Sequence, residues 1–388
     1  MIYLDNAAST QIHEDVLDSM LPYLKEQYGN ASSIHRYGRL ARKAIEKSRK
    51  QIASLINADP SEILLTSGGT ESNNTVLRGI LSSDTSNQIV TSLIEHDAIL
   101  EPCKKLSQNG FDIDYLPVDK FGNIDPLELK NHLSGKTCLV SIMFGNNEVG
   151  TVQKISQIAK ICNEQKIPFH TDAVQAVGKI PIDVKELGVD LLSISSHKLH
   201  GPKWIGALFI KNDIKIDPVI LGGGQEHGLR SGTENVANIV GFGKACEIAK
   251  NNLNENIEYV TKLRNLLVDR VLEEIPVVTL NGDPKSRLPN NAHFTFLGVN
   301  GEDLIIKLDE YGIAASTGSA CSVNTQRASH VLQAMGFSHE QITGSLRLTI
   351  GVFNNENEIE QTVTSLKKIV EELRSFSPFK EKYSFSKI

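Results

Sequence analysis

The sequence lacks several features that would place the protein in a specialised class. It contains no run of about 18 consecutive apolar residues, so no membrane-spanning helix is predicted. Its five cysteines are odd in number and widely spaced, which argues against a disulfide framework and is typical of a reducing cytosol. Neither a C-x-x-C nor an H-E-x-x-H pattern occurs, and we therefore predict no structural zinc site.

The sequence also lacks an excess of positive charge, with 40 Lys and Arg residues against 46 Asp and Glu residues. The net charge is -6, which gives no electrostatic reason to expect a nucleic-acid partner. The N-terminus has no basic stretch followed by an apolar one, so we predict no signal peptide and expect a cytoplasmic protein. With 388 residues, 40% of them hydrophobic, the chain can form one large and one smaller domain, each with its own core.

Short apolar runs alternate with helical periodicity between about residues 60 and 250. This alternation predicts an α/β fold with a mostly parallel sheet covered on both faces, in which ligands bind at the carboxyl ends of the strands. The seven predicted strands are Glu62–Ser67, Gln88–Ile94, Phe111–Val118, Cys138–Phe144, Ile167–Thr171, Leu191–Ser195 and Ala207–Ile210.

A second, smaller α/β unit is predicted after this region. Residues 251–275 have the pattern of a long helix with a polar face, and strands are expected near 291–297, 312–316 and 345–350. We therefore expect a large domain over residues 13–257 and a small domain made of residues 1–12 and 258–388.

Two charged residues follow predicted strands and suggest a cofactor. Lys198 ends the segment Ser195–Lys198, which closes an apolar strand, and a lysine at such a place can form a Schiff base with an aldehyde cofactor. Asp172 ends another predicted strand, where its carboxylate can pair with a protonated pyridine nitrogen. Each has an ordinary alternative, because most lysines are solvated and many aspartates cap helices.

A glycine-containing segment, Thr66–Ser72, follows a strand and opens a helix. Glycines let the backbone approach an anion, and N–H groups at a helix start bind phosphate. Gly69 and Thr70 are therefore the phosphate candidates, with Ser195 and His197 as further donors. An ordinary helix cap is the alternative for Thr70.

Three further polar residues follow predicted strands and could face the same cavity. His96 could stack on a cofactor ring and relay protons, although a lone histidine is usually structural. Gln175 could donate a hydrogen bond to the phenolic oxygen of a pyridine cofactor. Asn147 could contact that oxygen or a substrate carboxylate.

Together these segments resemble the class V, fold-type I enzymes that use pyridoxal phosphate, and specifically the group I cysteine desulfurases of the NifS/IscS type. The matching segments occur in the family's order from residue 3 to about residue 351. The segments are Tyr3–Thr10, Thr66–Ser72, Ile94–His96, Asn146–Gly150, His170–Gln175, Ser195–Lys198, Gly222–Thr233, Ser316–Cys321 and Ser345–Arg347.

The resemblance implies pyridoxal phosphate as the cofactor and L-cysteine as the substrate. Lys198 would hold the cofactor as a Schiff base and later remove the substrate's Cα proton. Arg347 would clamp the substrate carboxylate, a task suited to its planar guanidinium. Thr233 would reach the phosphate from the other subunit of a homodimer.

Cys321 decides the activity that the resemblance implies. In the family, a loop cysteine accepts sulfur from cysteine as a persulfide and alanine is released. Cys321 would then pass the sulfur to an acceptor such as an iron–sulfur scaffold protein, whose cluster it could transiently ligate. Its neighbours are small and polar, so we expect residues from about 321 to 330 to be mobile.

The other four cysteines lie in apolar contexts and are predicted to be core residues. Three other functions stay open from the sequence. The chain could be an aminotransferase or lyase of the same fold, a selenocysteine lyase, or a non-catalytic sulfur carrier that retains the cofactor. The first of these would have no need of Cys321.

Overall fold

A computed structural model of the chain describes residues 1–80, 86–318 and 328–377. The seven strands of the large sheet are β2 (Ile63–Thr66), β3 (Gln88–Ser92), β4 (Asp112–Leu116), β5 (Thr137–Ser141), β6 (Phe169–Asp172), β7 (Leu191–Ser195) and β8 (Gly206–Ile210). The remaining strands are β1 (Ile2–Tyr3), β9 (Val278–Asn281), β10 (Asn291–Phe296), β11 (Ile313–Ala314) and β12 (Ser345–Thr349).

The helices alternate with the strands through the first two thirds of the chain. Those of that part are α1 (Glu14–Lys25), α2 (Arg36–Leu55), α3 (Gly69–Gly79), α4 (Asp97–Gln108), α5 (Pro126–His132), α6 (Ile155–Glu164), α7 (Val184–Leu187) and α8 (Val236–Asn251). The later helices are α9 (Leu253–Glu274), α10 (Gly301–Glu310), α11 (His330–Ala334), α12 (His339–Thr343) and α13 (Glu356–Ser375).

The large sheet has the strand order β2-β8-β7-β6-β5-β3-β4. All neighbouring pairs are parallel except those of β8, which runs antiparallel to both β2 and β7. The predicted α/β class and the seven-stranded, mainly parallel sheet are therefore confirmed, and each predicted strand contains or overlaps an observed one.

Both faces of this sheet are buried, as its continuous apolar runs predict. Successive residues of a strand point to opposite faces, and in β7 Leu191 and Leu192 accordingly belong to different hydrophobic clusters. The helix predicted from the spacing of Ile155, Ile158 and Cys162 is α6, and all three side chains are buried.

The second unit is built around a small antiparallel sheet in the order β12-β10-β9. Phe294 and Phe296 are fully buried at its centre, and the apolar sides of α9 and α13 pack on the same cluster. A capping box between Asn355 and Glu358 starts α13. The helix predicted over 251–275 corresponds to α9.

Two short strands of this unit were missed by the sequence analysis. β1 has only two residues and pairs in parallel with β11, and β9 is partly exposed at the edge of the sheet. The predicted strand at 312–316 is shorter in the structure, where only Ile313–Ala314 pair as a strand. Leu4 lies in the small unit's core, whereas Ile12 packs against the large unit's cluster, so the assignment of residues 1–12 to the small domain stays a proposal.

The proposed boundary at 257/258 falls inside α9, whose buried residues from Val260 onward join the small unit's cluster. We keep that boundary as a proposal. Among the helices of the described residues, none is both long and apolar enough to cross a membrane.

Gly206 provides a test of how tightly the sheet packs against the glycine turn before α3. A Cβ atom at Gly206 would lie 2.5 Å from the Ile194 carbonyl oxygen and 2.7 Å from Gly68 Cα. Because backbone must move, Gly206→Ala is expected to lower the free energy of unfolding by about 1–3 kcal/mol. The urea midpoint measures this change, provided that the m value is unaltered.

Gly135→Ala is the matched control, since a Cβ there meets no atom within 4 Å. Its stability should stay within about 0.5 kcal/mol of the parent protein. Equal midpoints for the two variants would show that the Gly206 contact does not limit packing.

Candidate active site

The carboxyl ends of the parallel strands open onto one cavity of about 430 Å³. β6 and β7 pair with Asp172 opposite Ser193, which brings Asp172 and the residues after Ser195 to the same edge. Ten of the residues predicted from the sequence line this cavity, namely Gly69, Thr70, His96, Asn147, Asp172, Gln175, Ser195, His197, Lys198 and Arg347.

Asp172 is buried and held from two sides. Its Oδ2 accepts a hydrogen bond of 2.6 Å from Asn73 Nδ2, and its Oδ1 accepts one of 3.0 Å from the Val174 N–H. These two donors fix the plane of the carboxylate in the cavity wall. A carboxylate held in this way is suited to a cationic nitrogen placed against it.

Lys198 ends a single helical turn, Ser196–Lys198, directly after β7. Its Nζ donates hydrogen bonds of 2.6 Å to the Ala7 carbonyl and 2.7 Å to the Ala8 carbonyl. The N-terminal segment therefore directs this amine into the cavity, where it is available to a carbonyl group.

The start of α3 lines one end of the cavity. Gly68 has a φ of +151°, which glycine adopts readily, and the first N–H groups of the helix have no intrahelical acceptors. A Cβ at Gly69 would lie 2.6 Å from Val174 Cγ2, so only glycine lets the backbone pass here. This geometry suits a phosphate group.

His197 lies beside this end of the cavity as a neutral ring. Burial, together with the cations of Lys198, Lys203 and Lys179, lowers the pKa of His197 to about 4. Its Nδ1 lies 3.3 Å from Ser9 Oγ. A neutral imidazole can still donate one N–H to an anion without adding charge to the site.

His96 caps α4, because its Nδ1 accepts a hydrogen bond of 3.0 Å from the Ala98 N–H. Burial lowers the pKa of His96; Lys198 and His330 act in the same direction, while Asp172 and Asp97 oppose them. The ring is therefore neutral near pH 7. With Nδ1 accepting, the ring proton resides on Nε2.

Arg347 reaches the cavity from β12 of the small unit and is only 2% exposed. Its Nη2 pairs with Asp5 at 2.7 Å, and its Nη1 donates to the carbonyls of Asn147 at 2.9 Å and Gly318 at 3.3 Å. Its Nε is buried and has no hydrogen-bond partner within the described residues. A ligand carboxylate would satisfy this donor.

The donor set fits pyridoxal phosphate. The cavity combines a lysine amine, a buried carboxylate for the ring nitrogen and a glycine-lined helix start for the phosphate. The orphaned Nε of Arg347 supplies a place for a second anion beyond the cofactor. The residues present could therefore hold this cofactor together with an amino acid.

One predicted residue, Thr233, lies elsewhere. Thr233 lines a different cavity of about 450 Å³, together with Glu71, Trp204 and Arg230, and does not line the cavity of its own chain's Lys198. Cys321 lies outside the described residues, as does most of the segment predicted to be mobile. Gly318, three residues before Cys321, does line the candidate active site.

The other cysteines are core residues, as predicted. Cys103, Cys162 and Cys246 are buried and Cys138 is half-buried. Burial raises the pKa of Cys103 and of Cys162 to about 12, and it also raises the pKa values of Cys138 and Cys246. Within residues 1–80, 86–318 and 328–377, no three His, Cys, Asp or Glu side chains are grouped to hold a metal ion.

Several contacts of the site were not found by sequence reasoning. Asn73 supports Asp172, Asp5 pairs with Arg347, and the carbonyls of Ala7 and Ala8 hold Lys198. Asp5, Ala7 and Ala8 lie in the segment Tyr3–Thr10, which carries part of the resemblance. The resemblance pointed to that segment but did not identify the partners of these residues.

The chain is similar to known proteins over most of its length. Residues 2–362 match the family model described as aminotransferase class-V. A "Cysteine desulfurase IscS" of Dictyoglomus turgidum is 48% identical over 388 residues, covering 100% of this chain and 98% of the relative.

Two solved structures are similar as well. One titled "NIFS-LIKE PROTEIN" has a TM-score of 0.90 and 37% identity, covering 96% of this chain and 99% of that one. Another, titled "SspA in complex with cysteine", has a TM-score of 0.82 and 34% identity, covering 92% and 100%.

The raised thiol pKa values predict which cysteines resist alkylation. A pKa near 12 leaves Cys103 and Cys162 almost entirely protonated at pH 8, and the thiol is a poor nucleophile. Brief treatment of the native protein with iodoacetamide should therefore leave both unlabelled, whereas treatment in denaturant should label both. Peptide mass spectrometry measures the difference. Labelling of Cys162 at the same rate in both conditions would contradict its burial.

Proposed function

Because this chain belongs to the class V aminotransferase family and, within it, to the cysteine desulfurases of the IscS/NifS type, we propose that it takes sulfur from L-cysteine. The products are L-alanine and a persulfide on Cys321, so the enzyme is a sulfurtransferase. The observation that carries the proposal is the cavity in which Lys198, Asp172 and Arg347 meet.

Pyridoxal phosphate, when bound, supplies an aldehyde for the amino group and a ring that withdraws electrons from the substrate's Cα. Lys198 would hold the cofactor as a Schiff base through this aldehyde, and Asp172 would keep the ring nitrogen protonated. Gly69, Thr70, Ser195 and His197 would hold the phosphate. His96, Asn147, Gln175 and a Thr233 supplied by the partner subunit would complete the cofactor site.

Arg347 would orient the substrate through its carboxylate. Its guanidinium is immobilised by Asp5 and two carbonyls, so little side-chain freedom is lost when the carboxylate binds Nε. The Cα proton is then presented to Lys198 Nζ, which accepts it. His96 would stack over the ring and move the second proton through Nε2.

Cys321 would complete the reaction as a thiolate. Its sulfur attacks the sulfur of the bound cysteine, the carbon–sulfur bond breaks, and the electron pair remains with the three-carbon fragment that becomes alanine. The outer sulfur of the persulfide on Cys321 would be passed to a sulfur acceptor, and we propose an iron–sulfur scaffold protein for this role.

We further propose a cytoplasmic homodimer. In support, Thr233 lies away from the Lys198 cavity of its own chain, in a cavity bordered by Trp204, whose side chain is 78% exposed. A second chain placed there would cover this apolar surface and receive Thr233 at its phosphate site.

The function is tested by incubating the yellow, cofactor-loaded protein with L-cysteine and a reductant and measuring alanine and sulfide. Equal amounts of both are expected. Cys321→Ala should keep the colour and release almost no sulfide, because cofactor binding does not need the thiol.

Lys198→Ala should lose the covalent attachment of the cofactor, measured by borohydride reduction and peptide mapping.

Cys138→Ala is the control, and it should retain desulfuration. Release of a keto acid in place of alanine would favour an aminotransferase, and preference for selenocysteine would favour a lyase of that substrate. Cofactor colour without turnover would favour a sulfur carrier.

The shared site is tested by mixing subunits. A heterodimer of one Lys198→Ala chain and one Thr233→Ala chain should contain one undamaged site if Thr233 acts across the dimer. That site should bind pyridoxal phosphate with the affinity of the parent protein. A heterodimer in which the remaining site shows the weak binding of the Thr233→Ala homodimer would place Thr233 in its own chain's site.

A further inference from the structure

Lys179 lies behind the candidate active site, in the turn that follows β6. Backbone hydrogen bonds from Val177 to Ala173 and from Ile180 to Ala176 give this turn a helical character. Residues four apart therefore share a face, and Lys179 lies over Gln175. Within the described part of the chain, both hydrogen bonds donated by Lys179 Nζ go to Gln175, one of 3.1 Å to its carbonyl and one of 3.2 Å to Oε1.

The opposite end of the Gln175 amide has an acceptor as its partner. Gln175 Nε2 donates a hydrogen bond of 2.8 Å to the Ala7 carbonyl, the same oxygen that accepts from Lys198 Nζ at 2.6 Å. A carbonyl can only accept, and a lysine ammonium can only donate. The two ends of the amide are thus distinguished by their surroundings.

Rotating this amide by 180° would be unfavourable at both ends. It would place the Gln175 NH₂ group against the Lys179 amine and its oxygen against the Ala7 oxygen. Each clash leaves a donor or acceptor unsatisfied in a buried place, since Gln175 is only 6% exposed. Lys179 and Ala7 together therefore select one orientation.

This orientation matters because Gln175 lines the candidate active site. Its Nε2 carries two N–H groups, and Ala7 accepts only one of them. The amide therefore presents a donor, not an acceptor, on the side of the cavity. The phenolic oxygen of pyridoxal phosphate is an acceptor and would match it.

We propose that Lys179 is a positioning residue, which locks the Gln175 amide so that its nitrogen donates to the phenolic oxygen of the cofactor. The proposal rests on the proposed function, since it takes pyridoxal phosphate as the ligand. Lys179 itself acts through Gln175.

The charge state of Lys179 changes how strongly its own end of the amide is selected, because the ammonium can only donate whereas the neutral amine can also accept; the Ala7 carbonyl favours the same orientation in both cases. Burial, and secondarily the charge on Lys198, lowers the pKa of Lys179 to about 7. The ammonium and the neutral amine both carry N–H groups, so either form can donate to Oε1. An effect of Lys179 acting directly on Lys198 would instead depend on charge and would not require Gln175.

A double-mutant cycle separates these two cases. The parent protein, Lys179→Met, Gln175→Ala and the double variant are stripped of cofactor and titrated with pyridoxal phosphate. The dissociation constant and the pH midpoint of the visible absorption band are measured for each. Lys179→Met should weaken cofactor binding roughly tenfold and shift the midpoint in the same direction as Gln175→Ala, as expected for one hydrogen bond to a charged acceptor.

The double variant should be no worse than Gln175→Ala alone. Lys179→Arg keeps a side chain that only donates and should restore most of the affinity. Lys160→Met, on the exposed face of α6, controls for the loss of one positive charge. If Lys179→Met does not fold, Lys179→Ala serves in its place, since it only enlarges the neighbouring cavity of about 70 Å³.

Two results would overturn the proposal. One is a pair of effects that add in the double variant, which would mean that Lys179 acts independently of Gln175. The other is a folded Lys179→Met protein with the parent affinity and band. If the parent protein itself bound no pyridoxal phosphate, the proposed function would fail with it, whereas additive effects in an active desulfurase would remove only the role of Lys179.

Discussion

The pairing of β6 with β7 is the constraint on which the candidate site depends. In this parallel pair Asp172 lies opposite Ser193, so the chain leaving β7 passes the end of β6 within a few residues. A shift of one residue in this register would turn Asp172 to the other face of the sheet. Phe169 and Ile194 are examples of fully buried residues in these strands. They hold the register because a shift would remove their side chains from the hydrophobic core.

The N-terminal segment connects this edge of the large sheet to the small unit. β1 pairs with β11, and Ala7 N–H donates to Thr349 Oγ1 of β12. A few residues further on, Thr10 N–H donates to the His197 carbonyl. One short stretch of chain therefore fixes the distance between Arg347, which belongs to the small unit, and Lys198, which belongs to the large one.

Much of this arrangement could be predicted from the sequence, and the reasons for the misses are physical. Buried parallel strands have long apolar runs, so β7 was predicted to the residue. β1 is too short to show a period. The bond between Asn73 and Asp172 joins positions 99 apart and depends on how α3 packs on the sheet. The acceptors for Lys198 are backbone carbonyls, which cannot be predicted from the pattern of side chains.

The charges of the site are arranged so that anions have defined places. His96 and His197 have lowered pKa values and stay neutral near pH 7, so neither ring adds a positive charge to the cavity that Lys198 and Arg347 also line. In the proposed function, the helix start of α3 would bind the phosphate through N–H groups that carry no net charge. The phosphate would then lie at the start of α3 and the substrate carboxylate at Arg347. Both places line the same cavity as Lys198, so binding both anions would confine the rest of the ligand to the cavity that holds the lysine amine.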